Sequence, residues 1–246
     1  MAKKSFIEEG VKVRETPLRE SDVIIDIFTR GLGTIKGVVR GLRRSKKRFP
    51  GSIRKFSFYH FSVSVGKGGI FNVSGASYVY GFDELGLHLG RYCAADYGLE
   101  IISRFYPENV ASNQIFDSLV EFLSMLRSGG DIFTTVKWLE VRVLHDSGFF
   151  PDFVRCSHCE LPFGEDEGAY FNLETRHVSC KTCDKLGHYM LIDNVLRKDM
   201  VRALNSPCSR YFLHDPSRKD LYRRIITDQI VAKIGFFPKS LLGMKR

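Results

Sequence analysis

Four of the six cysteines stand as Cys156-x-x-Cys159 and, after twenty residues, Cys180-x-x-Cys183. A pair at this spacing can turn both sulfurs toward one ion, and four thiolates complete the tetrahedron that Zn²⁺ accepts. Two disulfides would use the same residues in an oxidising compartment, but a reducing cytosol favours metal. Four protein ligands leave no position for a reactive water, so the chemistry expected is structural: one zinc ion stapling the segment 152–186. His158, His177 and His188 lie near enough in sequence to replace a thiolate, while Cys93 and Cys208 stand alone and read as small buried groups.

A second constellation is electrostatic. The run Arg40-Gly41-Leu42-Arg43-Arg44-Ser45-Lys46-Lys47-Arg48 holds six cations in nine residues, and Lys36 lies on the same side of the preceding strand as Arg40. Such a run repels itself unless it is solvated or meets an anion, and a phosphodiester backbone offers a regular array of charges with release of counterions. Lys36, Arg40, Arg43, Arg44, Lys46, Lys47 and Arg48 are therefore the candidate phosphate contacts on a nucleic acid, with Arg218, Arg223 and Arg224 as a weaker second track. Phe28, Phe49, Tyr59, Tyr78 and Tyr80 could stack on bases, although most such rings belong in a core.

The charge is segregated along the chain. Residues 1–80 hold 16 basic and 6 acidic side chains, residues 81–184 hold 8 and 17, and residues 185–246 hold 13 and 5, within a formal total of +9. Two basic ends point to nucleic acid or an anionic membrane surface rather than to a small acidic metabolite. No Gly-x-x-x-x-Gly-Lys-Ser/Thr loop, no His-Glu-x-x-His helix and no deaminase cysteine pair after Pro207-Cys208 is present, so no motor or zinc-enzyme chemistry is expected.

These residues need elements to hold them. Val23, Ile25 and Ile27 alternate, as do Tyr59, Phe61, Val63 and Val65; with a segment holding Ile35 and Val39 on one face and segments near 6–14 and 70–80 they make five strands punctuated by glycines. Five strands in about 80 residues without a helical pattern suit a small closed barrel, OB-like by preference and SH3-like as the alternative. After Asp83 the period becomes helical. Stripes through Leu85, Leu89, Leu99, Ile102 and Phe105, through Ile115, Leu119, Phe122 and Leu126, and through Phe133, Val136, Leu139 and Val143 predict three helices packed as a bundle. Asp131 is placed to cap the third, and a last helix is expected over 218–234. The fold class expected is α+β: a five-stranded OB-fold β-barrel over 1–81, then a mainly α-helical domain over 82–246 with the four-cysteine zinc-binding unit inserted.

No unbroken apolar run exceeds four residues, against the roughly 20 of a spanning helix. The basic start Met1-Ala2-Lys3-Lys4 turns acidic at Glu8 and Glu9 without the apolar stretch of a signal peptide, and a cytoplasmic location is expected.

Several of these segments together resemble one family. Arg14-Glu15-Thr16-Pro17-Leu18-Arg19-Glu20-Ser21-Asp22, the Gly31-Leu32-Gly33 turn, Gly41-Leu42-Arg43-Arg44-Ser45-Lys46, Leu139-Glu140-Val141-Arg142-Val143-Leu144, Ser147-Gly148-Phe149-Phe150-Pro151 and both cysteine pairs follow in the order found in the bacterial RecO family of DNA repair proteins. The resemblance covers most of 6–183 and implies an OB fold, a zinc site in a helical domain, binding of single- and double-stranded DNA and strand annealing. It also implies loading of RecA together with RecR, contact with the C-terminal tail of single-strand DNA-binding protein, and a place near the nucleoid. Two other readings remain open on the residues alone: a metal-dependent nucleic-acid hydrolase, and an RNA-binding OB protein.

Overall fold

The computed structural model describes residues 5–42, 44, 48–49, 52–183, 189–238 and 240. Strands β1 (Ser5–Pro17), β2 (Val23–Thr29), β3 (Gly33–Val39), β4 (Ser57–Val65) and β5 (Phe71–Gly81) close into a barrel in the order β1-β2-β3-β5-β4. Antiparallel pairing of β1 with β4 and a short parallel register between β3 and β5 complete the ring. This is the OB-like arrangement. The 13-residue β1 serves two partners, pairing through Val11 with β4 and from Gly10 with β2, and a register shift between Lys12 and Arg14 lets it bend between them.

The period-two pattern sets the barrel core. Val23, Ile25, Ile27, Ile35 and Val39 point inward and meet Phe61 and Val63 of β4 and Val73 of β5. The β3–β4 connection adds Leu42, Phe49 and Ile53 to the same core. Burying these apolar groups ties the basic connection to the barrel and leaves the described cations around them, Arg40, Arg44 and Arg48, facing solvent.

The helices divide differently from the expected bundle. Among the described residues, one compact unit runs to Gly129 and includes Pro238 and Ser240; the other is Gly130–Phe237. Helices α1 (Leu89–Phe105) and α2 (Asn113–Arg127) pack on each other, and α1 also meets β1 and β2, so these two helices belong with the barrel. The physical reason lies on the outside of β2. Phe28 points out of the barrel yet is fully buried, because Tyr106 and Phe116 cover it at ring-centroid distances of 6.2 and 5.7 Å. Helix periodicity shows an apolar stripe but not which surface will receive it. Leu89, expected in that stripe, is exposed, and the buried face of α1 begins at Ala94.

Gly33 secures this packing. It lies at φ 71°, and a Cβ there would fall 2.3 Å from the carbonyl oxygen of Pro107. The absence of a side chain lets the turn after α1 approach β3, where the Thr34 N–H donates to Tyr106 O at 2.9 Å and the Asn109 N–H to Leu32 O at 2.9 Å.

In the second unit α3 (Ile132–Asp146) packs on α4 (Asn194–Asn205) and on a terminal helical segment. Asp131 caps α3, its carboxylate accepting from the Thr134 N–H at 2.9 Å, as its position suggested. The terminal segment comprises α5 (Lys219–Tyr222), a π-helical turn (Arg223–Thr227) and α6 (Asp228–Ile234), within the expected last helix. Its wide turn seats Thr227 beside a fully buried ion pair, Lys137 Nζ to Glu140 Oε2 at 2.6 Å, and the Thr227 hydroxyl donates to the same carboxylate at 3.1 Å. Between α3 and α4 lies a small sheet of β6 (Ala169–Asn172), β7 (Val178–Ser179) and β8 (Tyr189–Ile192) in the order β7-β6-β8.

Candidate functional site

The small sheet positions the cysteines. The first pair is turned by local hydrogen bonds: the Cys156 N–H donates to Leu161 O at 3.0 Å and the Glu160 N–H to Cys156 O at 2.9 Å. The second pair follows β7, where the Cys183 N–H donates to Cys180 O at 3.1 Å. Ser157 joins the two turns, its N–H donating to Val178 O at 2.8 Å and its Oγ accepting from the Val178 N–H at 3.1 Å. The result brings all four sulfurs, from Cys156, Cys159, Cys180 and Cys183, within 4.8 Å of one another, with no disulfide among them.

The donor set fits a metal. Tetrahedral Zn–S bonds of about 2.3 Å place sulfurs about 3.8 Å apart, and Cys159 Sγ and Cys180 Sγ are separated by 3.9 Å. Cys156 is the buried member of the set. Burial alone would raise its pKa, but backbone N–H groups of Cys159, Cys180 and His158 directed at its sulfur bring it down to about 6. Contact with the Cys180 sulfur, followed by burial, pushes the Cys183 thiol up to about 12. N–H groups turned toward a thiolate are the support a metal-bound sulfur needs, and the four cysteines can hold a metal ion. The cluster contains no histidine among the described residues: His158 and His177 pack edge to face beside it at 5.7 Å, and His188 lies outside the described residues.

Arg197 on α4 ties this module to the helices, and no local sequence signal announced it. It is buried, and its guanidinium donates to three backbone carbonyls: Glu167 O at 3.0 Å, Phe153 O at 3.0 Å and Gly164 O at 2.8 Å. Methionine keeps the length but leaves these carbonyls without their donor. Arg197→Met is expected to lower stability by about 2–4 kcal/mol, read as a shifted urea midpoint of the unit that contains the cysteines. A variant with the parent's midpoint would show that the carbonyls find other partners.

Of the candidate DNA contacts, Lys36 and Arg40 are exposed on and just beyond β3. Arg44 is exposed and pairs with an equally exposed Glu20 at 3.3 Å, a contact too solvated to neutralise it. Arg48 is exposed and donates from Nη2 to Arg40 O at 3.1 Å. Arg43, Lys46 and Lys47 lie outside the described residues. In the other unit Arg218 is held by two carboxylates, Asp193 at 2.5 Å and Asp215 at 3.0 Å. Arg223 pairs with Asp220 at 3.1 Å and stacks on Phe133, and both Arg223 and Arg224 are exposed. Of the aromatic candidates, Phe28, Phe49 and Tyr59 are core residues. Tyr80 stacks on Phe58 at 4.7 Å, and burial pushes its phenol up to about 12. Tyr78 is exposed, with the Arg54 guanidinium 5.6 Å from its ring centre, and is the candidate ring left open to a base.

The family model for the N-terminal part of Recombination protein O matches residues 1–82, and the model for its C-terminal part matches residues 87–191. The chain belongs to the RecO family. It is thus a DNA repair and recombination protein by family. Full-length similarity supports this: DNA repair protein RecO of Dehalococcoides mccartyi strain CBDB1 is 26% identical over 97% of this chain and 94% of its own length. DNA repair protein RecO of Anaeromyxobacter sp. strain K is 28% identical over 63% of this chain and 62% of its own, and that of Caldicellulosiruptor saccharolyticus is 24% identical over 79% of each. The RecO C-terminal match takes in all four cysteines and ends at Leu191, before α4, so Arg197 and the terminal helices lie beyond it. Among the described residues no helix is long and apolar enough to cross a membrane.

Proposed function

We propose that the chain is a non-enzymatic mediator of recombinational repair. It binds single- and double-stranded DNA through the barrel module, residues 1–81, and anneals complementary strands. With RecR it helps RecA load onto DNA coated by single-strand DNA-binding protein, whose C-terminal tail it engages, in the cytoplasm at the nucleoid. One observation carries the reading: in a RecO-family chain, a barrel connection anchored by buried Leu42, Phe49 and Ile53 presents the exposed cations Arg40, Arg44 and Arg48 next to Lys36 on β3.

The mechanism follows from charge. Two complementary strands repel until their phosphates are neutralised, after which pairing runs downhill without ATP. Lys36, Arg40, Arg43, Arg44, Lys46, Lys47 and Arg48 supply that neutralisation on one unit, and Arg223 and Arg224 are the exposed members of the weaker track on the other. Zn²⁺ bound by Cys156, Cys159, Cys180 and Cys183 supplies structural cross-linking. Around it Ser157 and Val178 hold the two cysteine turns together, and Arg197 joins the module to α4.

Annealing of complementary oligonucleotides precoated with single-strand DNA-binding protein tests the reading. The protein is expected to accelerate duplex formation at least about tenfold without ATP, an effect of about 1.4 kcal/mol on the barrier. No acceleration would remove the mediator reading, and release of cleaved strands would replace it with a hydrolase.

A further inference from the structure

A cleft of about 500 Å³ opens between the outer face of β1–β3 and helix α1, wholly within the barrel unit. It has the size of a small-molecule site and a polar lining. The strand register brings three charged residues of this lining together: Arg14 of β1 is the cross-strand partner of Asp26 on β2, and Asp26 is the partner of Lys36 on β3. Thr34 precedes Lys36 by two residues and shares its face.

The four side chains have a common property. Arg14, Asp26 and Lys36 make no ion pair or side-chain hydrogen bond among the described residues, although opposite charges stand on adjacent strands. The Thr34 hydroxyl is buried without a partner on the cleft wall. A buried unsatisfied hydroxyl is unfavourable, and a ligand hydrogen bond would relieve it. Elsewhere in the cleft Lys55 is ion-paired with Asp96 at 2.6 Å, and the Glu100 carboxylate accepts a hydrogen bond from the Ser240 hydroxyl at 3.3 Å. The uncommitted set thus offers two cations, one carboxylate and one hydroxyl on a single face.

A phosphate alone would satisfy the cations but be repelled by Asp26. A ligand that is anionic at one end and carries N–H donors at the other satisfies both. We propose that this cleft is a nucleotide subsite in which Arg14 and Lys36 hold a phosphate while Asp26, with Thr34 beside it, accepts from the exocyclic amino group of a base. Cytosine offers that amino group, whereas thymine offers a carbonyl oxygen at the same ring position, which a carboxylate repels. One nucleotide of a bound strand is drawn out of the stack into the cleft, and the barrel prefers amino-bearing bases at that position. This rests on the DNA-binding reading and adds base selectivity to it.

Binding of the full chain to fluorescent dC12 and dT12, two pyrimidine homopolymers, tests the proposal, with dCMP, dTMP and inorganic phosphate titrated separately. The parent is expected to bind dC12 at least fivefold more tightly than dT12, and dCMP more tightly than dTMP or phosphate. Asp26→Ala should bring the two oligonucleotides within twofold of each other. Glu15→Ala removes a nearby carboxylate outside the cleft and should keep the preference, which separates base recognition from net charge. If Asp26→Ala fails to fold, Asp26→Asn takes its place, with the preference expected to fall by about half. Equal binding of dC12 and dT12 by the parent, an unchanged preference in the folded Asp26 variant, or loss of preference in Glu15→Ala would each overturn the subsite while leaving DNA binding intact. No binding to either oligonucleotide would overturn the DNA reading and the subsite with it. Oligonucleotide preference without measurable dCMP binding supports a subsite that acts on strands; dCMP binding supports one that also takes the free nucleotide.

Discussion

Cys156→Ser is expected to release the metal and unfold the segment around the cysteines. Of the four cysteines Cys156 is the buried one, and backbone N–H groups of Cys180 and His158 donate to its sulfur at 3.3 and 3.5 Å. A serine oxygen is a poorer zinc ligand than a thiolate and shortens the reach to the ion. Structural zinc is worth apparent free energies of about 10–16 kcal/mol in small domains, so losing a ligand removes the main source of order from a module with only short strands. Intact-mass measurement under native conditions should show one metal per parent chain and none in the variant. Hydrogen exchange should rise across 152–192, while the barrel, which has its own core, keeps its protection. Chelation should reproduce the effect in the parent. Lower pH should weaken metal binding, because protons compete for thiolates that must be deprotonated to bind. A variant that retains its metal, or a parent that holds none and protects the segment with disulfides, would defeat the zinc reading.

Reversing Arg43, Arg44, Lys46 and Lys47 to Glu should weaken single-stranded DNA binding by about 10²–10³ near physiological salt. The steepness of the salt dependence, log K against log salt, should fall by about 3, at about 0.7 for each phosphate that is no longer neutralised. The fold should survive, because the connection is held by Leu42, Phe49 and Ile53, which the substitutions leave in place. The Arg44–Glu20 pair offers little resistance, since both partners are exposed and a solvated pair is worth at most about 1 kcal/mol. Fluorescence anisotropy at several salt concentrations reads affinity and slope together. An unchanged slope would mean that these cations are merely solvated and that the strand runs elsewhere.

The cysteine centre and the barrel could be read from residues alone, and the placement of the helices could not. The cysteine centre was legible because its information is local: each pair lies within one turn, and the chemistry of four sulfurs names its own ligand class. The barrel was legible for a related reason, since a period of two over short glycine-bounded segments leaves few ways to bury Val, Ile and Phe without exposing sheet edges. The destination of the helices was not legible. The same stripe through Leu99, Ile102 and Phe105 would serve a three-helix bundle or a barrel wall, and outward-facing Phe28 directs α1 and α2 to the barrel.

By itself, then, the order of residues determined the two cysteine pairs that can hold a metal, the strand pattern and the basic connection, because spacing along the chain controls interactions between near neighbours. Tertiary structure alone decided that Arg197 would bond to three distant carbonyls and that Arg14, Asp26 and Lys36 would meet on one face. Those groupings depend on strand register and on packing between segments far apart in the chain, and no local pattern encodes which distant partner a polar side chain will find.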